Sequence, residues 1–266
     1  MQDVLSCRFN NLDIGTIKQY HMHSSVSTYG FGLCSIDATA TENTTLMSNW
    51  VFNVTEESLN NLRRCTEDIN PECRQTNYLV VKVIRLTMQE LGQLMDLDPD
   101  FKVLYLVRDP RGTVRSQNQL GEFDWTILNN YTKSFCERVR SDIHVSKTVF
   151  HKFPHRVMQV RYEDIIENPI ARTQQLYGFI NLEFTPPVKE YIWNITFAGN
   201  QDDCNICTTR KNATETAYAW RKVLSFDEVN LIQSHCSDVM KHFGYRPFDQ
   251  KELSDFKISS YYQVKR

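Results

Sequence analysis

Residues 103–107, Val-Leu-Tyr-Leu-Val, form an unbroken apolar run that stops abruptly at Arg108-Asp109-Pro110-Arg111-Gly112. β-branched, aromatic and aliphatic residues in uninterrupted succession are the pattern of a strand buried on both faces. Asp109 followed by Pro110 is a helix start, a capping carboxylate with a proline in the first turn. The chain is therefore expected to pass from the carboxyl end of an interior strand directly into a helix. In an open parallel sheet, that is where ligands bind.

The neighbouring sequence repeats the alternation of strand and helix. Asn77–Leu86, NYLVVKVIRL, reads as a buried strand, and residues 87–100 as an amphipathic helix with Met88, Leu91, Leu94 and Met95 on one face. A second strand over 101–107 follows, so the connection is long enough for a parallel crossover. Residues 156–165 predict another strand. A helix from 168 to 180 has Asn168 as N-cap and Pro169 at its first position; the last predicted helix is capped by Ser225 and stopped by Gly244. Thr55–Cys65 also reads as helical, and residues 1–54 are irregular. The fold class is α/β, a parallel sheet flanked by helices, in one domain over residues 1–266.

The strand end carries a specific chemistry. A helix N-terminus presents free N–H groups and a favourable dipole to an anion. Arg108 adds a planar multi-donor fork suited to a phosphate, Ser116 lies about two helical turns further on, and Arg111 and Arg115 add positive potential. The plainer alternative is that these arginines pair with nearby carboxylates and hold the strand mouth together.

The totals limit the partners. With a formal net charge of −2 over 266 residues, no global basicity points to nucleic acid, so any anion site is local. No apolar run approaches the roughly 20 residues that span a bilayer. Eight cysteines, at 7, 34, 65, 73, 136, 204, 207 and 236, are an even number, and a bridge between Cys65 and Cys73 would close the short loop between them. Cys204-Asn205-Ile206-Cys207 is a lone pair without a second pair at zinc-ligand spacing, and His21 and His23 read as surface or packing residues, so no metal is expected. Glycosylation acceptor sequences occur at Asn43, Asn53, Asn130, Asn194 and Asn212. Cysteines and acceptors together favour a secretory-pathway lumen over a reduced intracellular setting.

Several segments, in order, resemble one family. LVRDPRGTVRSQ is similar to the 3′-phosphate-binding segment of the Golgi carbohydrate sulfotransferases that act on the 6-hydroxyl of galactose, N-acetylglucosamine or N-acetylgalactosamine. VVKVIRL, VRYEDIIENPIARTQQLYGFINL and TTRKNATETAYAWRKVLS resemble further segments of that family, covering residues 55–248. The resemblance implies a sulfotransferase fold of P-loop-NTPase type and the donor 3′-phosphoadenosine 5′-phosphosulfate (PAPS). It implies Arg108 and Ser116 as contacts of the 3′-phosphate and Arg210 as a further cofactor contact, with Trp220 in packing. Gln117 stands where the family has arginine.

The resemblance also implies a glycan acceptor, a Golgi-lumen location and a membrane attachment only through an N-terminal anchor, as in a type II membrane protein. The family's Gly/Ser-rich loop for the 5′-phosphosulfate is not recognisable; the closest stretch, with Gly30 and Gly32, lacks a preceding apolar strand and a basic residue. The expectation is a chain that begins downstream of the first strand, its loop and the catalytic base. The enzyme reading therefore stands beside an alternative: a truncated or non-catalytic relative that binds nucleotide or glycan without transfer.

Overall fold

The computed structural model describes residues 2–11, 56–84, 86–201 and 208–262. The chain divides into two compact units, Met1–Arg85 and Leu86–Arg266. The Gly30 and Gly32 stretch, His21 and His23, the Cys204–Cys207 pair and the acceptor sites at Asn43 and Asn53 lie outside the described residues.

In the first unit, a short helix α1 (Gln2–Leu5) precedes α2 (Glu56–Gln75). A disulfide joins Cys7 to Cys73, and the Phe9 N–H donates to Asn70 Oδ1 at 2.8 Å. Cys65 is buried and also disulfide-bonded, but not to Cys73. The expected Cys65–Cys73 bridge is corrected by helix geometry. Both residues lie on α2, and eight positions along an α-helix separate them by about 12 Å, beyond a disulfide's reach. The strand expected over Asn77–Leu86 is also corrected. Residues 78–83 have no regular structure, and Val80 and Ile84 are 83% and 76% exposed. A strand exists only through ladder partners for its backbone groups, and no described strand pairs with this run.

The second unit begins with α3 (Met88–Leu97), closed at its start by a reciprocal capping box between Thr87 and Glu90. Strand β1 (Val103–Val107) leads into α4 (Pro110–Gln119), and the long α5 (Leu128–Lys152) leads to β2 (Val157–Arg161). The strand expected over 156–165 ends at Arg161, because the chain turns helical at once in α6 (Tyr162–Glu167). Then come α7 (Pro169–Phe179), α8 (Pro186–Thr196), α9 (Ala213–Tyr218), α10 (Trp220–Val223), α11 (Phe226–Phe243) and α12 (Gln250–Ser254). Asn168 precedes α7 with Pro169 at its first position but makes no side-chain cap, whereas Ser225 and Glu228 form a full capping box and Gly244 ends α11 with a left-handed φ of 78°.

The fold is mixed α/β and mostly helical, with β1 and β2 paired in parallel, Val103 opposite Val157 through to Val107 opposite Arg161. One apolar layer packs Met88, Leu91 and Met95 of α3 on Val103, Val149 and Val157. The larger core lies between α5 and α11, where Ile143, Val229, Ile232 and Val239 gather with Val114 and Trp220. Cys136 and Cys236, both fully buried, join these two helices by a disulfide.

Arg111 sits at the centre of this core with Asp109, each 0% exposed. The guanidinium grips the carboxylate in two places, Nε to Oδ1 at 2.9 Å and Nη2 to Oδ2 at 2.7 Å. Its Nη1 donates to Gln233 Oε1 and to the Arg246 carbonyl, and its guanidinium carbon lies 4.4 Å from the centre of the Trp220 ring and 4.8 Å from that of Phe248. Arg111 therefore does not raise the local potential for a ligand, because its charge is matched and enclosed. Arg111→Met would leave the Asp109 carboxylate buried without its partner. It is expected to lower stability by about 3–5 kcal/mol, read from the urea midpoint. A loss below about 1 kcal/mol would show that the pair is not a fold determinant.

Candidate functional site

Arg108 follows the last residue of β1, and Tyr162 follows the last residue of β2. Because Val107 pairs with Arg161, the parallel register carried one step further sets Arg108 beside Tyr162 and Asp109 beside Glu163. The contacts follow that register. The Arg108 guanidinium carbon lies 4.7 Å from the centre of the Tyr162 ring, and the Asp109 N–H donates to Glu163 Oε1 at 3.1 Å. The cation on the ring face is an attractive arrangement that leaves the edge of the fork free.

Arg108 donates no hydrogen bond to a described residue, and its Nε is buried without a partner. Such a group costs free energy unless something supplies an acceptor. Arg115, half-buried on α4, is in a similar position. Burial first, and then the Arg108 charge, lowers its pKa, and no described carboxylate forms an ion pair with it. Two guanidinium groups thus repel each other without a counter-ion. Ser116, next to Arg115 on α4, is half-buried, and its hydroxyl makes no hydrogen bond to a described residue. Beside it, Gln117 Oε1 is buried and unpartnered.

Arg210 comes to the same neighbourhood from a distant part of the sequence. Its N–H donates to the Ile195 carbonyl at 3.0 Å, which ties this segment to the end of α8, and its Nη1 donates to the Thr209 carbonyl. Burial raises the Tyr162 pKa, and the positive charges of both Arg108 and Arg210 oppose that rise, so Tyr162 lies within reach of both fields. Gly112 is closely packed where it stands. A Cβ there would come 3.1 Å from Trp220 Cδ1 and 3.4 Å from Arg108 Nε. Trp220 is a packing residue, 1% exposed, as the sequence leads one to expect.

Below the arginines lies Glu163, 1% exposed. It accepts from the Asp109 N–H and, at 2.8 Å, from the Tyr245 hydroxyl. The residue types at 162–164 suggest capping and anchoring; α6 has no side-chain cap, and Glu163 anchors. They give no sign that its acidity is altered. Burial, reinforced by the nearby Asp109 carboxylate, pushes its pKa up to about 7.

The site can therefore hold a multiply charged anion: two guanidinium groups without an ion-pair partner among the described residues, the Arg210 segment beside them, and a hydroxyl with no hydrogen bond to a described residue. Those features fit the 3′-phosphate end of PAPS. Among the described residues no cluster of metal-ligating side chains occurs.

Comparison with known proteins gives the same direction. The sequence profile described as the sulfotransferase family matches residues 31–186. Mouse carbohydrate sulfotransferase 4 is 28% identical over 196 residues, covering 66% of this chain and 50% of the mouse protein. Human carbohydrate sulfotransferase 6 is 28% identical over 197 residues, with the same shares, and mouse carbohydrate sulfotransferase 3 is 28% identical over 209 residues, 70% of this chain and 43% of that protein. The chain thus spans about half the length of the curated relatives it matches.

The raised Glu163 pKa has a sign that can be measured. The folded state keeps a proton that the unfolded chain releases above its ordinary value of 4.5, so the stability from this group is full below that value and is lost as pH rises through about 7. Glu163→Gln, which can still accept from Asp109, is expected to flatten the fall in the urea midpoint between about pH 5 and 7.5. An unchanged slope in the variant would assign that pH dependence to another group.

Proposed function

Because the chain belongs to the sulfotransferase family, we propose that it binds PAPS with Arg108, Ser116 and Arg210 at the 3′-phosphate, and that Arg115 adds a further charge there. The sulfate would pass to the 6-hydroxyl of galactose, N-acetylglucosamine or N-acetylgalactosamine in a glycan. The observation that carries the donor-site reading is Arg108 itself, a strand-end guanidinium with a buried, unpartnered Nε beside a second uncompensated arginine.

PAPS supplies an activated sulfuryl group whose bond to the 5′-phosphate breaks as a new S–O bond forms to the sugar oxygen. The leaving nucleotide keeps the bridging oxygen and its charge, and the sugar hydroxyl gives up its proton. The residues of this site act at the other end of the nucleotide. They grip the 3′-phosphate and so hold the donor in register, which is where positioning contributes to rate. Arg108 can offer two parallel N–H bonds, and a dianion between Arg108 and Arg115 would relieve their mutual repulsion.

The acceptor class rests on the relatives, which are named carbohydrate sulfotransferases. The disulfides Cys7–Cys73 and Cys136–Cys236 support the reading that the protein works in the lumen of the secretory pathway, in the Golgi, where such bonds persist.

Calorimetric titration with 3′-phosphoadenosine 5′-phosphate and with 5′-AMP tests the donor site directly. Tighter binding of the 3′-phosphorylated nucleotide is expected, with a loss of about 1.5–3 kcal/mol in Arg108→Ala. Equal binding of both nucleotides, unaffected by the substitution, would return Arg108 to a strand-end packing role. Transfer of labelled sulfate to a galactose- or N-acetylglucosamine-terminated oligosaccharide separates an enzyme from a relative that only binds.

A further inference from the structure

The acceptor sequence Asn130-Tyr131-Thr132 lies in the first turns of α5. Asn130 is exposed, and its side chain makes no hydrogen bond to a described residue. It does not cap the helix, which starts without a side-chain cap. The adjacent Asn129 differs, because its Oδ1 meets His235 Nε2 at 2.8 Å. Asparagine is a weak helix former, so nothing in the helix itself accounts for an unbonded one at this position.

Thr132 is the more telling residue. It is 0% exposed, on the stripe of Leu128, Thr132 and Cys136 that α5 buries. Its Oγ1 is buried with no hydrogen-bond partner. The same helix satisfies its other buried hydroxyl, since Ser146 Oγ donates to the Ile143 carbonyl at 2.8 Å. A buried hydroxyl without a partner costs free energy, and a valine would fill that space without the cost. The fold thus uses the volume of Thr132 and not its hydroxyl.

Both ends of the motif are therefore unexplained by the folded state, and both are what an Asn-x-Thr acceptor requires: a free amide and a hydroxyl two positions on. In a chain not yet folded, Thr132 is open to solvent. The other described acceptors are less diagnostic. Asn212 Oδ1 accepts from the Glu215 N–H at 3.0 Å and so caps α9, and the Thr196 hydroxyl of the Asn194 motif donates to the Ile192 carbonyl at 2.6 Å.

We infer that Asn130 carries an N-linked glycan, and that the Thr132 hydroxyl serves its attachment rather than the fold. The donor is an oligosaccharide linked to a lipid through a diphosphate. The amide nitrogen bonds to the anomeric carbon of the first sugar, and the bond from that carbon to the diphosphate oxygen breaks. The diphosphate keeps the electron pair, and the amide gives up one proton. Because Asn130 is exposed, the sugar stays in solvent after folding. The inference rests on the reading that the chain works in the secretory-pathway lumen.

Mass spectrometry of the full chain, secreted behind a cleavable leader and treated with a peptide N-glycosidase in heavy-oxygen water, tests it. Asn130 is expected to appear as heavy-oxygen aspartate in most molecules. Thr132→Ser is expected to keep the glycan. Thr132→Val is expected to lose it, with a urea midpoint no lower than that of Asn130→Gln, which also lacks the glycan. A glycan retained in Thr132→Val, or a clear fall in its midpoint, would overturn the role given to the hydroxyl. A bare Asn130 in chains whose Cys136 and Cys236 are joined would overturn the inference alone. A bare Asn130 with both of those thiols free would overturn the luminal reading with it.

Discussion

The buried pair of Asp109 and Arg111 is the constraint from which the second unit is organised. An enclosed ion pair is tolerable only when every donor and lone pair around it is used. Here the carboxylate also caps α4, and the guanidinium reaches α11 through Gln233 and the C-terminal segment through Arg246. Gln233 in turn holds both the N–H and the carbonyl of Phe248. One charge pair therefore fixes the strand end, the longest core contact and the chain that closes over it. It also decides the role of its neighbour. Two arginines three positions apart compete for one carboxylate; Arg111 takes it, and Arg108 is left with its charge unmatched at the mouth of the sheet.

Glu163 continues the same logic. Two carboxylates beneath a cluster of arginines would cancel the field the cluster sets up. By burying Glu163 against Asp109, the fold makes its ionisation unfavourable, so at neutral pH much of that second negative charge is absent. The hydrogen bonds from Asp109 and Tyr245 are kept because a carboxyl oxygen accepts in either protonation state. A carboxyl group that makes no hydrogen bond with Arg108 thus bears on the charge around it.

Much of this was legible in the residues. The Val103–Val107 strand, the Asp109–Pro110 helix start, and the cap and stop of α11 at Ser225 and Gly244 all rest on local chemistry, and local chemistry decided them. Leu104 and Leu106 are 42% and 58% exposed, however, so the strand is not buried on both faces as its apolar run suggests. The place of Arg108, at a strand end and ahead of a helix start, was legible too, because that is a short-range pattern. What was not legible is the division of labour between Arg108 and Arg111, since it depends on Gln233, Arg246 and Phe248, more than 120 positions away. Tyr162 as the support of Arg108 follows only from the register of β1 with β2. The run Tyr78–Ile84 shows the opposite failure. Its composition is that of a buried strand, yet composition cannot supply a partner for the ladder, and the run stays exposed.

The bond between Cys136 and Cys236 spans 100 positions, and the groups that satisfy Arg111 lie as far away. A ribosome delivers Arg108 and Arg111 together, long before it delivers Gln233, Cys236 or Arg246. Arg111 acquires its enclosure only once Gln233 and Arg246 have followed it out of the ribosome. The setting that distinguishes Arg108 from Arg111 is thus completed late in biosynthesis, by residues more than 120 positions further along the chain.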